Sequence, residues 1–151
     1  MHDTQADMHR ILLVEDNDDH AELVSRCLED RGKRLRIKRL GDGEAALAWL
    51  EAGAARPADD ADWPPELILL DLRLPKIDGM EVLDRIKASE ALRNIPVVIL
   101  SSSAAAGDLE GAYSRHANSY VVKPLDAASL AAILDKLGCY WFDVNRRPAL
   151  G

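Results

Sequence analysis

The feature that most constrains the fold is a set of three short apolar runs, each of which stops abruptly at a polar residue. The runs, with the residues that end them, are 11–14 before Glu15 and Asp16, 67–70 before Asp71, and 97–100 before Ser101. Strands that are apolar along their whole length are typical of a parallel sheet, because helices cover both of its faces. The runs therefore predict three central strands of such a sheet.

Segments with helical periodicity separate these strands. After Asp16 a helix with a repeating apolar face is predicted, and Asp18 or Asp19 is expected to cap it with Glu22 completing a capping box. Its apolar face includes His20. Further helices are predicted at residues 44–50, 79–87, 109–113 and 130–137.

Two weaker strand patterns complete the alternation. Residues 35–40 alternate apolar and basic side chains, which indicates an edge strand, and residues 120–122 form a short run before Lys123. Residues 53–65, rich in Ala, Asp and Pro, are expected to form a loop. Five strand-helix units predict one α/β domain with a doubly wound parallel sheet.

Composition limits the partners and the compartment. The chain has 151 residues and a net charge of -7, which suits a single domain and argues against nucleic acid as a partner. Neither a signal-peptide core nor an apolar run of about 20 residues is present, so no membrane contact is expected. Cys27 and Cys139 are far apart in the sequence and are expected to be reduced thiols in the cytoplasm.

The polar residues at the strand ends form the predicted site. In a parallel sheet the carboxyl ends of the strands meet at one edge, which would bring together Glu15, Asp16, Asp71, Ser101 and Lys123. Three adjacent carboxylates repel one another unless a cation lies between them, and an all-oxygen ligand set suits Mg²⁺. A lysine and a hydroxyl opposite them suit a phosphoryl group. Each residue alone is more often a turn, a cap or a solvated side chain.

The chain resembles the response-regulator receiver family from residue 11 to about residue 137. The matching segments are LLVEDN at 12–17, LILLDLRLPKIDGMEVL at 67–83, IPVVILSSS at 95–103 and NSYVVKPLD at 118–126. The resemblance implies a (βα)5 flavodoxin-like, CheY-like fold with strand order 2-1-3-4-5. It places a disordered segment at 1–9, the receiver domain at 10–138 and a C-terminal extension at 139–151.

The resemblance also implies a role for each site residue. Asp71 would be the phosphoacceptor, Lys123 would bind the phosphoryl oxygens, and Ser101 with Tyr120 would form the switch. Mg²⁺ would be bound by Asp16, Asp71 and the backbone carbonyl of Arg73, and by Glu15 through water. Pro124 would follow Lys123 across a cis peptide bond. Glu15 and Ser101 stand where Asp and Thr are commoner in the family, and His116 stands where Gly is common.

A narrower resemblance concerns stand-alone regulators associated with bacterial phytochromes. It depends on NSY before VVKP and on a tail that begins Tyr140-Trp141-Phe142 after a helix expected to end near Gly138. It implies a sensor histidine kinase, namely a bacterial phytochrome, as the partner, with a downstream phosphotransfer or target protein. The aromatic tail would either form a homodimer contact or fold back onto its own domain.

Three other classes of protein fit the sequence less well. A haloacid-dehalogenase-type phosphatase needs a second Asp where Arg73 stands, and a DNA-binding regulator needs an output domain that residues after 137 are too few to form. A non-phosphorylated pseudo-receiver, acting as a binding module, usually lacks one of the acidic or lysine positions. The expectation is a self-phosphorylating switch and not a turnover enzyme.

Overall fold

A computed structural model describes residues 8–30, 32–57 and 60–148, and its centre is a five-stranded parallel sheet in the order β2-β1-β3-β4-β5. The strands are β1 (His9–Val14), β2 (Leu35–Leu40), β3 (Leu67–Leu70), β4 (Val97–Ser101) and β5 (Ser119–Val122). The helices are α1 (Asp18–Glu29), α2 (Gly43–Ala55), α3 (Gly79–Ala88), α4 (Ala106–Ser114) and α5 (Ala127–Gly138), followed by a π-helix at Cys139–Val144. The predicted fold class and strand order are confirmed.

The helices cover the sheet in two layers, which explains the continuous apolar runs. α1 and α5 pack on one face, and α2, α3 and α4 pack on the other. All four residues of β3 are buried, because β3 is the central strand and both of its faces meet helices. β2 is an edge strand with half-buried and exposed side chains, as its alternating pattern predicted.

Two predicted helix boundaries are wrong by a few residues. α1 is capped by Asn17, whose Oδ1 accepts a hydrogen bond from the backbone N–H of His20 at 3.0 Å, and not by Asp18 or Asp19. α2 extends to Ala55, so that residues 53–55 of the predicted loop are helical. Gly53 lies against the Trp63 ring, where a Cβ would come within 2.1 Å of a ring carbon, and this packing holds the last turn in place.

The C-terminal extension continues the last helix and packs on its own domain. The α-helix ends at Gly138, as predicted, but Gly138 keeps helical backbone angles and the chain winds on into the π-helix. Trp141 is buried in the core between α1, α5 and the sheet, and Phe142 contacts the ring of His9 with centroids 4.7 Å apart. Tyr140 and Val144 remain exposed.

The predicted domain limits can be compared with the structure only within the described residues. Residues 1–7 and 149–151 lie outside them, so the predicted disorder of residues 1–7 stays a prediction, whereas His9 belongs to β1.

Cys27 and Cys139 form no disulfide. No helix among the described residues is both long and apolar enough to cross a membrane.

Candidate functional site

The carboxyl ends of four strands bring buried polar side chains to one edge of the sheet. Glu15 follows β1, Asp71 follows β3, Ser101 ends β4, and Lys123 follows β5. These four residues are 0–8% exposed. Glu66, at the opposite edge, is the other polar or charged residue that is buried among those described. Burying polar groups is costly unless they are paired, so this concentration indicates a site that needs them.

Lys123 occupies the centre of the site. Its ammonium lies 2.6 Å from Glu15 Oε1 and 3.1 Å from Asp71 Oδ2, and its side chain is only 2% exposed. A third contact, of 3.2 Å, joins it to Nδ1 of His20 in the first turn of α1. A buried ammonium is stable only when its three N–H groups find acceptors, and here each has one within hydrogen-bonding distance.

Three carboxylates next to the lysine could hold a metal ion. Glu15, Asp16 and Asp71 each offer an oxygen, and these oxygens all lie within 4.8 Å of one another. Burial raises the pKa of Glu15, and the charge of Asp71 adds to this effect, whereas Lys123 and the backbone N–H of Asn17 oppose it. A donor set made only of carboxylate oxygens, with Asp16 open to water, fits a hard divalent cation.

Ser101 and Tyr120 both contact the segment that follows β4. The Ser101 hydroxyl oxygen accepts a hydrogen bond from the backbone N–H of Ser103 at 3.2 Å. The Tyr120 hydroxyl donates to the carbonyl oxygen of Ser103 at 2.8 Å, and its ring packs against the core beneath α4. The two residues predicted to form the switch are therefore connected through one residue of this segment.

Arg73 lies at the mouth of the site, with its guanidinium directed towards α4. Its backbone N–H donates to Asp71 Oδ1 at 3.2 Å, whereas its side chain forms an ion pair of 2.8 Å with Asp108. Asp108 also accepts a hydrogen bond from the Ser103 hydroxyl. The β3–α3 loop, the segment after β4 and the first turn of α4 are thus tied together beside Asp71.

Sequence reasoning missed two residues at this edge and made one error. His20 was placed on the apolar face of α1, although its position four residues after Asp16 was a signal that it could reach the site; Asp108 gave no such signal.

The Lys123–Pro124 bond is trans, contrary to the expectation of a cis bond, and the cis peptide bond among the described residues is Trp63–Pro64. The two isomers of an X–Pro bond differ by only about 0.5–1 kcal/mol, so local packing decides between them.

His116, which stands where glycine is common in the family, lies at a turn with an unusual backbone conformation. Its backbone φ is 69°, in the left-handed region, at the turn between α4 and β5. Glycine adopts this region without steric cost, and histidine is among the residues that tolerate it better than most. The structure therefore gives the physical reason why glycine suits this position.

Comparison with known proteins shows the family that the chain resembles. The model of the response regulator receiver domain family matches residues 11–135. The chain is 49% identical to the probable methanogenesis regulatory protein FilR2 of Methanothrix harundinacea, over 91% of this chain and 86% of that protein. It is 36% identical to the response regulator Rcp1 of Synechocystis sp., over 92% of each chain.

Solved structures give the same result. The phosphorylated cyanobacterial phytochrome response regulator RcpA superposes with a TM-score of 0.86 at 34% identity, covering 94% of this chain and 99% of that one. The Mn²⁺-bound form of Rcp1 superposes with a TM-score of 0.85 at 35% identity, covering 93% and 99%. The fold, the strand-end residues and these likenesses lead to one conclusion: the chain belongs to the response regulator receiver domain family.

Proposed function

We propose that this chain is a single-domain response regulator that accepts a phosphoryl group on Asp71 from a sensor histidine kinase, in the cytoplasm and with Mg²⁺. The observation that carries the proposal is the contact of Asp71 with the buried ammonium of Lys123, beside two further carboxylates. A lone buried ion pair could be structural, but three carboxylates that lie within 4.8 Å of one another beside one lysine carry an excess of negative charge that a bound cation would balance. This excess of acidic groups is what a magnesium-dependent phosphoacceptor needs.

The residues of the site divide the work of phosphoryl transfer. An oxygen of the Asp71 carboxylate attacks the phosphorus of a phosphohistidine in line, a P–O bond forms, the P–N bond breaks, and the imidazole leaves. Asp16, Asp71 and the carbonyl oxygen of Arg73 would bind Mg²⁺ directly, with Glu15 bound through water. The ion, when bound, neutralises charge on the transferred group. Lys123 then binds a phosphoryl oxygen and keeps the product oriented.

Ser101 and Tyr120 would transmit the new charge to the surface. A phosphoryl group on Asp71 would attract the Ser101 hydroxyl, which breaks its contact with the backbone of Ser103. Tyr120 bonds to the same residue, so the segment after β4 would select between two arrangements. The surface formed by α4, β5 and α5, with Tyr113 and Val122 exposed, is the output face in this proposal, and a downstream phosphotransfer or target protein would bind there.

A labelling experiment tests the acceptor. Wild-type protein, Asp71→Asn and Asp78→Asn are incubated with acetyl phosphate and Mg²⁺, and phosphorylation is followed by intact-protein mass spectrometry. Asp78 is the matched control, because it is an exposed aspartate in the same loop whose side chain makes no capping bond. We expect labelling of the wild type and of Asp78→Asn but not of Asp71→Asn. Equal labelling of all three proteins would exclude Asp71, and no labelling of any would favour a binding module.

The proposed kinase is a bacterial phytochrome. Support comes from the likeness to RcpA, a phytochrome response regulator, across nearly the full length of both chains. Phosphotransfer from a purified phytochrome kinase should be faster than transfer from an unrelated histidine kinase at equal concentration. Equal rates would contradict this partner, whereas acetyl phosphate labelling would be unaffected.

We further propose a homodimer in which the exposed side of the C-terminal extension meets its twin. Trp141 is buried within the monomer, but Tyr140 and Val144 are 53% and 61% exposed, and a two-fold contact would let both subunits cover the same patch. Sedimentation of the intact protein and of Tyr140→Ser/Val144→Ser tests this without removing Trp141. The wild type should sediment as a dimer and the variant as a monomer; two monomers would contradict the proposal.

A further inference from the structure

His20 makes a contact that the family roles of the site residues do not include. Its Nδ1 lies 3.2 Å from Nζ of Lys123. An ammonium group only donates hydrogen bonds, so a hydrogen bond across this contact requires the tautomer in which Nδ1 carries the lone pair and Nε2 the proton. The imidazole is therefore an acceptor for the third N–H of the lysine, whose other two reach Glu15 and Asp71.

The surroundings hold His20 in this place. Its backbone N–H is bonded to the cap residue Asn17, and the backbone N–H of Asn17 donates to Glu15 Oε2 at 3.2 Å. One short segment thus carries a carboxylate of the site, the cap of α1 and the acceptor for Lys123. The lysine side chain is 2% exposed, so water cannot readily replace an acceptor that is removed.

We propose that His20 is a positioning residue for Lys123, which keeps the ammonium directed at the phosphoacceptor by accepting its third hydrogen bond. The inference rests on the proposed function of Asp71. Without His20 the ammonium would turn towards another acceptor or leave one N–H unsatisfied, and either change weakens its hold on the Asp71 carboxylate and on the phosphoryl group. Hydrogen bonds to charged groups are among the strongest in proteins, so this loss is large enough to measure.

Nuclear magnetic resonance tests the contact without any phosphorylation. Two-bond ¹H–¹⁵N correlation spectra of the wild-type protein at neutral pH report which ring nitrogen carries the proton. We expect the Nε2–H form for His20, with a change in its Nδ1 resonance in Lys123→Ala. A proton on Nδ1, or on both nitrogens, would overturn the proposal even if Asp71 is phosphorylated normally.

Rates of phosphorylation test the role. His20→Leu removes the acceptor and should slow labelling by acetyl phosphate and Mg²⁺ about tenfold. His20→Asn places an amide oxygen near the position of Nδ1 and should restore most of the rate, with His116→Asn as the control for an exposed histidine. A normal rate in His20→Leu, or an equally slow rate in His20→Asn, would overturn the proposal. If the wild type is not labelled, the proposed function of Asp71 fails, and the spectra alone decide the contact.

Discussion

The acid dependence of stability offers a direct test of how the C-terminal extension is held. Glu66 precedes β3 at the edge of the sheet opposite the phosphoacceptor, and its side chain is 4% exposed. Its Oε1 lies 2.8 Å from His9 Nδ1, while its Oε2 accepts from Trp141 Nε1 at 3.0 Å and pairs with Arg147 Nε at 3.2 Å. One carboxylate therefore connects β1, β3 and the tail.

The perturbation is Glu66→Gln, which keeps the shape and removes the charge. Breaking a buried charged pair costs about 3–5 kcal/mol. The amide retains one acceptor oxygen, and Arg147 is 32% exposed, so its share is discounted for solvent screening. We expect a loss of about 2–3 kcal/mol in the free energy of unfolding at neutral pH, a large part of the roughly 5–15 kcal/mol of a typical domain.

The pH dependence follows from the direction of the shift. Burial by itself raises the pKa of Glu66, but the hydrogen bond and charge of His9, the hydrogen bond from Trp141 and the charge of Arg147 outweigh it and hold the pKa below the ordinary value of 4.5. The stabilisation is complete above this ordinary value, which applies to the unfolded chain, and is lost as the pH falls through the lower pKa of the folded state. The difference between wild type and Glu66→Gln should therefore shrink towards zero in acid.

Urea unfolding from neutral pH to acid, followed by circular dichroism, measures this difference. Glu110→Gln, an exposed glutamate on α4, controls for loss of one negative charge. Trp141→Phe keeps the ring packing but removes the N–H, and a double-mutant cycle with Glu66→Gln should give a coupling of about 1 kcal/mol. A difference below about 0.5 kcal/mol at neutral pH, or one that does not change with pH, would refute the reasoning.

Three further predictions concern the site and the turn before β5. Asp16→Ala should weaken Mg²⁺ binding, measured by calorimetry, by more than about tenfold. Lys123→Ala should leave Mg²⁺ binding unchanged or make it tighter, because the ammonium competes with the ion for two carboxylates, and an equal loss of affinity in both variants would contradict the proposed roles. Arg73→Asn with Ser103→Glu should speed loss of the phosphoryl group about tenfold by orienting a water, and slower decay would count against a shielding role for Arg73. His116→Gly should raise the free energy of unfolding by about 0.5–1 kcal/mol and His116→Val should lower it by about 1 kcal/mol, because φ is 69°; the opposite order in urea unfolding would disprove this explanation.

The sequence by itself predicted the sheet and the strand-end residues of the site. Apolar runs of four residues identified the buried strands, and the polar residues after them could be assigned to one edge, because the carboxyl ends of parallel strands meet there. Lys123 contacts Glu15 and Asp71 through its ammonium, and its backbone N–H donates to the carbonyl oxygen of Ser101, as that reasoning required. The reasoning succeeded because it depended on the topology of the sheet and not on the position of any single atom.

Only the tertiary structure decided the features that depend on small differences in free energy or on contacts between distant segments. The cap of α1 is Asn17, one residue before the predicted Asp18, and the Lys123–Pro124 bond is trans and not cis. In each case the alternative cap or isomer differs in free energy by only about 1 kcal/mol. His20 became part of the site because the start of α1 lies beside the end of β5, 103 residues later in the chain. Trp141 lies in the monomer core, where it packs on apolar residues of α1 and α5 and its indole N–H donates to Glu66, 75 residues earlier. A local pattern carries no information about such a partner, because the two segments approach each other only after the sheet has formed.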